Sequence, residues 1–259
     1  MSARFNAVAD DMMPATISEF DGVRYLHLGT PWVQGAMRLR ASLGLELEYI
    51  QRMMVWMLLR PTAELARGRA VQLGLGAGAI TRFCHSTLRM KTLAVELNPT
   101  VVSACRLWFR LPADSARFQV LEMDAADYVG DPQHADSAQV LCIDLYDHDA
   151  ASPVLDSEAF YADCHRLLAD GGVMTVNLFG RDASFERSAQ RIAGVFGAER
   201  VFSLRPTKEG NTVVVALKNA ELPDRPTLAA RADDIESRFK LPATKWLRMI
   251  RALPVAVAE

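Results

Sequence analysis

The sequence of 259 residues predicts an α/β protein whose parallel, helix-wound sheet closes on an antiparallel pair and follows a small antiparallel sheet. Three observations lead there. From Arg69 onward, strand-like apolar runs alternate with helix-like ones. The last two strand-like runs, VFSLRP and NTVVVALKN, are separated only by a turn around Lys208-Glu209-Gly210, and strands joined so tightly are antiparallel. Residues 15 to 40 alternate apolar and polar types about an Asp21-Gly22 pair, which is a hairpin signal.

The elements follow in order. ATISEF and VRYLHLG flank Asp-Gly, and PWVQGAMRL continues the alternation. LELEYIQRMMVWMLLRP repeats its apolar residues at helical intervals until Pro61 stops it, with Met53, Met54 and Met57 on a core-packing face. RAVQLGLG reads as a strand, AGAITRFCHSTL as a helix, KTLAVEL as a strand, and PTVVSACRLWF as a helix opened by Pro99. RFQVLEMD and AQVLCIDLY are the third and fourth strands of this series. SEAFYADCHRLLADGG is a helix ending at glycines, VMTVNLF the fifth strand and ASFERSAQRIAGVFG the next helix. A proline-bounded tail carries two more candidate helices, RADDIESRFK and ATKWLRMIRAL. Its Phe239, Trp246 and Ile250 point to packing or an oligomer contact rather than a substrate lid. The expected division is a β-hairpin region over 1–45, a main α/β domain over 46–220 and a helical tail over 221–259.

Composition narrows the function classes. Hydrophobic residues make up 50% and charged residues 23%, the balance of an ordinary globular protein. With 29 basic against 31 acidic residues and no polybasic run, there is no electrostatic case for nucleic acid or an anionic membrane. Cys84, Cys105, Cys142 and Cys164 show no CxxC spacing and read as buried free thiols, suited to a reducing cytoplasm. No apolar leader and no membrane-length apolar run occurs, so a soluble cytoplasmic protein is expected.

Gly74, Gly76 and Gly78 stand where the first strand of the series hands over to a helix. Lacking Cβ, they permit a tight turn and let the backbone approach a ligand at the helix start. The spacing also passes as a dinucleotide loop, so alone it is weak. Glu96 ends the next strand, 20 residues beyond Gly76, where an acid can accept both ribose hydroxyl protons. Asp124 ends the third strand on the same rim, placed to accept from an adenine amino group or to cap the following helix. Asp144 and Asp147 follow the fourth strand. Two carboxylates three residues apart can face one pocket, attract cations and take the proton of a substrate ammonium. His148 lies beside them. The other histidines have no ligand spacing, and no metal site, Ser/His/Asp set or P-loop is present.

The sequence resembles the spermidine synthase-like, or polyamine aminopropyltransferase, family of the class I S-adenosylmethionine-dependent fold. The resemblance spans residues 15 to 217 and rests on LGLGAGA, VELNP, MDAADY, IDLYD, LDSEAFY and LLADGGVMTVN. It implies a Rossmann-like sheet of seven strands, a small N-terminal β-domain and a homodimer. It implies a nucleoside held by the glycine loop, Glu96, Asp124 and Ala125, with Asp144 as general base and Asp147 holding the polyamine. The co-substrate would be S-adenosylmethionine or its decarboxylated form, the acceptor a small amine such as putrescine, with no metal. Ala77 stands where the family's loop carries an Asp that holds the donor amine, and Asn177 stands where a Gln is usual. A carboxylate restored at position 77 is expected to favour the decarboxylated donor. Aminopropyl transfer is thus the leading expectation, with methyl transfer or non-catalytic nucleoside binding as alternatives.

Overall fold

A computed structural model of the chain describes residues 12–145, 155–179 and 183–253. β1 (Ala15–Phe20) and β2 (Val23–Leu28) pair antiparallel across a two-residue turn. Asp21 and Gly22 both have positive φ, 47° and 72°, the geometry that matches the twist of the flanking strands. β3 (Gly35–Arg38) adds to β2, completing a three-stranded sheet. Its Leu26 and Met37 pack in a cluster with Val101, Cys105 and Phe109, apolar residues of and just after a helix of the main domain.

The long apolar helix expected after this sheet is broken into α1 (Glu48–Met53) and α2 (Trp56–Leu59). Met53 to Leu59 are all buried, and i→i−3 bonds at Met54, Val55, Met57 and Leu58 tighten the segment, so burial on every side overrides a single helical stripe. Arg60 is extended, as a residue before Pro61 must be.

The main sheet then builds as expected: β4 (Arg69–Leu73), α3 (Ala79–Arg82), β5 (Lys91–Glu96), α4 (Pro99–Trp108), β6 (Phe118–Glu122), α5 (Ala125–Gly130), β7 (Ala138–Ile143), α6 (Glu158–Leu167), β8 (Leu168–Phe179), α7 (Ala183–Phe196), β9 (Val201–Ser203) and β10 (Asn211–Leu217). The strand order is β9-β10-β8-β7-β4-β5-β6, with β10 antiparallel to both neighbours and the rest parallel. Alternation along the strands serves two apolar layers: Val213, Val215 and Leu217 face α2 and the tail, while Val214 and Ala216 face α6 and α7.

Two differences from the expected elements have physical reasons. α6 ends at Leu167, before the glycine pair, because Leu168 already pairs with Ala138 and the Gly171-Gly172 backbone bonds that of Lys218. The tail forms α8 (Arg225–Phe239) and α9 (Ala243–Met249), but its end turns extended at Ile250 and forms β11 (Arg251–Ala252). β11 pairs with β9, satisfying an open edge and making the sheet eight-stranded. Among the described residues no helix is long and apolar enough to cross a membrane.

Trp246 is 1% exposed and packs in the apolar layer shared by α2 and β10. The tail is thereby part of the core. Trp246→Ala should destabilise the protein by about 3–5 kcal/mol in urea unfolding. A loss of only a few tenths would place the tail outside the cooperative unit.

Candidate active site

The C-terminal ends of β4 to β8 converge on a cavity of about 670 Å³, a volume usual for a nucleoside-sized ligand with a small partner. Its floor is the turn after β4. Gly74 has φ +81°, and a Cβ there would lie 2.1 Å from the carbonyl oxygen of Asp144, so only glycine lets the ends of β4 and β7 touch. The buried Gln72 side chain donates to the carbonyls of Gly74, at 2.7 Å, and Leu75, while accepting from the Thr81 hydroxyl. Arg82, 1% exposed, donates to the carbonyls of Ala77 and Ser42. Burial pulls its guanidinium down to about 10, which still leaves it charged at neutral pH. A buried amide and a buried cation therefore hold the loop from behind.

Glu96, at the end of β5, accepts backbone N–H bonds from Leu75 at 2.8 Å and Asn98 at 2.9 Å. One carboxylate thus ties the glycine turn to the start of α4. Burial pushes its carboxyl above the usual range, against these bonds. Asp124 caps α5, its Oδ1 accepting from the Ala126 N–H at 2.8 Å. Ala125 opens that helix, where N–H groups lack intrahelical partners. Glu96, Asp124 and Ala125 all line the cavity.

Asp144 leaves β7 at its centre, half-buried between two donors. Asn177 Nδ2 donates to Oδ1 at 2.9 Å, and the Tyr49 hydroxyl donates to Oδ2 at 3.2 Å. Asn211 in turn donates to Asn177 Oδ1 at 3.2 Å. Burial raises the Asp144 carboxyl above the usual range, and the two donors oppose that rise. The result is an oriented carboxylate with an increased appetite for a proton.

Of the residues singled out from sequence, Gly74, Gly76, Glu96, Asp124, Ala125 and Asp144 line this one cavity. Gly78 does not. It precedes α3 with φ +69°, and a Cβ there would meet Leu111 and Arg82, so its part is in packing the turn. Asp147 and His148 lie outside the described residues. Ala77 is 2% exposed and packs in an apolar cluster with Leu26 and Leu111. A Cβ on Gly35 would lie 2.6 Å from that of Ala77, so β3 covers the position where the family's Asp would stand. This packing argues against the expectation that a carboxylate at 77 favours the decarboxylated donor.

Sequence reasoning missed Gln34, Gln72, Tyr49, Arg82, Glu209 and Asn211. Gln34, Tyr49, Glu209 and Asn211 line the cavity, and the Gln34 amide nitrogen is buried without a protein partner. Tyr49 reads only as part of the helical run LELEYIQRMMVWMLLRP, and the others look like ordinary polar residues of a strand, helix or turn. Among the described residues no three His, Cys, Asp or Glu side chains are grouped to hold a metal ion.

Comparisons with known proteins show the family and the fold. A polyamine aminopropyltransferase of Chromobacterium violaceum is 30% identical over 250 residues, covering 96% of this chain and 93% of the relative. The chain belongs to the polyamine aminopropyltransferase family. No family model matches it. Two solved structures share the fold of this chain. A probable spermidine synthase of Corynebacterium glutamicum has TM-score 0.71 and 18% identity, over 95% of each chain. A spermidine synthase in complex with the transition-state analogue AdoDATO has TM-score 0.57 and 20% identity, over 89% of this chain and 90% of the other. The family and fold expected from the motifs are those found.

Because β3 occupies the space beside position 77, Ala77→Asp should bury a carboxylate against apolar groups. A loss of about 3 kcal/mol or more is expected in urea unfolding, with no gain in donor affinity. An unchanged stability with tighter donor binding would show that β3 yields there.

Proposed function

We propose that this chain transfers an aminopropyl group from decarboxylated S-adenosylmethionine to a small diamine such as putrescine, releasing 5′-methylthioadenosine. One observation carries the reading. The described cavity lining contains six carboxylates, Glu46, Glu48, Glu96, Asp124, Asp144 and Glu209, and no lysine or arginine. Two of them are paired, Glu46 with Arg38 and Glu48 with Arg52, so a strongly negative field remains. It attracts a cationic sulfonium, its ammonium tail and a protonated amine, and it offers a donor carboxylate no basic partner. The names of the curated relatives and of the analogue-bound spermidine synthase support the same reaction.

In this reading Glu96 takes the ribose hydroxyls with the lone pairs its backbone bonds leave over. Asp124 uses its second oxygen for the adenine amino group, and the first-turn N–H of Ala125 faces the adenine ring. Gly74 and Gly76 admit the sulfonium end, with Gly78 setting the turn, and Gln34 supplies a further amide donor. The acceptor amine loses its proton to Asp144. Its freed lone pair attacks the carbon next to sulfur, the carbon–sulfur bond breaks, and its electrons leave a neutral thioether. Burial suits Asp144 to the task, since a carboxyl raised toward neutrality is a better proton acceptor. Tyr49 and Asn177 fix its direction, and alignment of amine and carbon supplies the rest. Asp147 would hold the acceptor, as the resemblance implies. Cytoplasmic residence fits four buried free cysteines. A homodimer fits the exposed Phe20, Leu107 and Trp108 around the adjoining β1 and α4, and a monomeric mass by light scattering would remove that part of the proposal.

Incubation with putrescine and decarboxylated S-adenosylmethionine should yield 5′-methylthioadenosine and spermidine. S-adenosylhomocysteine from the intact donor instead would make this a methyltransferase. Asp144→Asn should lower kcat by roughly 10²- to 10⁴-fold while nucleoside affinity holds. The ionised form of Asp144 is the active one, so kcat should fall as pH drops through its raised pKa, and the falling limb should be absent from the residual activity of the Asn variant. A variant that turns over normally would sink the general-base role.

A further inference from the structure

We propose that Glu209 is the carboxylate that receives the distal ammonium of a diamine acceptor and so selects diamines over monoamines. The inference rests on amine alkylation at Asp144 and assigns a further carboxylate of the same cavity lining.

Glu209 stands at the tip of the turn between β9 and β10 and lines the cavity together with Tyr49, Asp144 and Asn211. The turn is built to present it. Thr207 N–H donates to the Asn211 carbonyl at 2.8 Å, Gly210 N–H to the Thr207 carbonyl at 3.2 Å, and Asn211 N–H to the Thr207 hydroxyl at 3.2 Å. Arg52, buried on α1, holds the turn from below. It donates to the Arg205 carbonyl with one nitrogen and to Glu48 at 2.6 Å with another. The helix bearing Tyr49 and the turn bearing Glu209 are therefore fixed to one another.

The turn is also tied to the reacting centre. Asn211 bonds Asn177, which bonds Asp144, and Glu209 lies two residues before Asn211, a backbone reach of at most about 7 Å. A short diamine with one amine at Asp144 can place its other end there.

Charge singles out Glu209 from Glu46 and Glu48, the other two lining carboxylates with no role in the proposed reaction. Glu46 is bonded to Arg38 at 2.5 Å and Glu48 to Arg52 at 2.6 Å, so their charges are answered within the protein. The Glu209 carboxylate is instead held below the usual range, first by its own backbone N–H and then by the Thr207 hydroxyl. Those are neutral donors, and the charges of Lys208 and Arg52 add a smaller pull. Together they keep the group ionised and oriented, and among the described residues no ion pair closes on it as one does on Glu46 and Glu48, so a ligand ammonium can. An ammonium is the ligand chemistry that answers an oriented carboxylate in a cavity without lysine or arginine.

The test is calorimetry with 5′-methylthioadenosine present, titrating putrescine and 1-aminobutane into the wild type, Glu209→Gln and Glu209→Asp. The Kd for putrescine should rise about tenfold in the Gln variant, the equivalent of one modest charge-assisted contact of about 1.4 kcal/mol. Glu209→Asp should recover part of that loss, while the Kd values of 1-aminobutane and of the nucleoside stay within about twofold, far less than a charged contact would cost. Equal weakening of both amines, weakened nucleoside binding, an unchanged putrescine Kd, or no putrescine binding by the wild type would each overturn the proposal. The catalytic reading is judged separately. If putrescine binds in a Glu209-dependent way but no 5′-methylthioadenosine forms from the decarboxylated donor, aminopropyl transfer falls and the role of Glu209 stands.

Discussion

The contact between Gly74 and the carbonyl of Asp144 is the constraint on which the site depends. A Cβ at position 74 would overlap that oxygen, so only a glycine allows the ends of β4 and β7 to meet. In the proposed reaction the meeting puts the turn offered to the sulfonium beside the residue offered to the amine proton. Everything else in the site holds that geometry. Glu96 pins Leu75, Gln72 pins Gly74, and Arg82 pins Ala77. The sheet supplies rigidity, and the turn supplies the approach.

Placing ionisable groups here works against folding. Burial raises the carboxyls of both Glu96 and Asp144. An acid whose pKa is higher folded than unfolded binds its proton more tightly in the native state. Its contribution is therefore most favourable at low pH and declines as pH rises through the folded pKa. Above the folded pKa that burial is a cost, set against the hydrogen bonds each carboxylate accepts. The donors around Asp144 reduce that cost without removing it, which leaves a carboxylate relieved by a proton or a cation. The same strain that lowers stability makes the group a proton acceptor.

Much of the fold was legible because each strand of the series announces itself by an apolar run and each turn by glycine, proline or Asp-Gly. The failures are tertiary. Met53 to Leu59 is apolar on all sides, so periodicity could not say where a helix would break. β11 exists only because the edge of β9 is open to it, and nothing in its two residues signals a strand. In the site, acids at strand ends were readable because position on a parallel sheet and chemistry agree. Glu209 and Asn211 were not, because their turn is three-dimensionally near Asp144 and far from it in sequence. Gly78 and Ala77 were read by motif and are placed by packing instead. One caps a helix start, and the other meets β3.

That last displacement changes how donor choice is to be understood. A single aspartate on the glycine loop would recognise an ammonium by direct contact. Here the loop position is apolar and covered, so in the proposed reaction discrimination would come from elsewhere. The cavity offers a field for it: with Glu46 and Glu48 answered by Arg38 and Arg52, the carboxylates left are Glu96, Asp124, Asp144 and Glu209. In a pocket with low-dielectric apolar walls such as Leu26, Val95 and Met123, like charges are disfavoured over longer range than in water. A donor that keeps its carboxylate would add a further negative charge to that set, and one that has lost it would add none. Selection by summed charge needs no particular residue at position 77, so an apolar loop there is compatible with the proposed preference for a cationic donor.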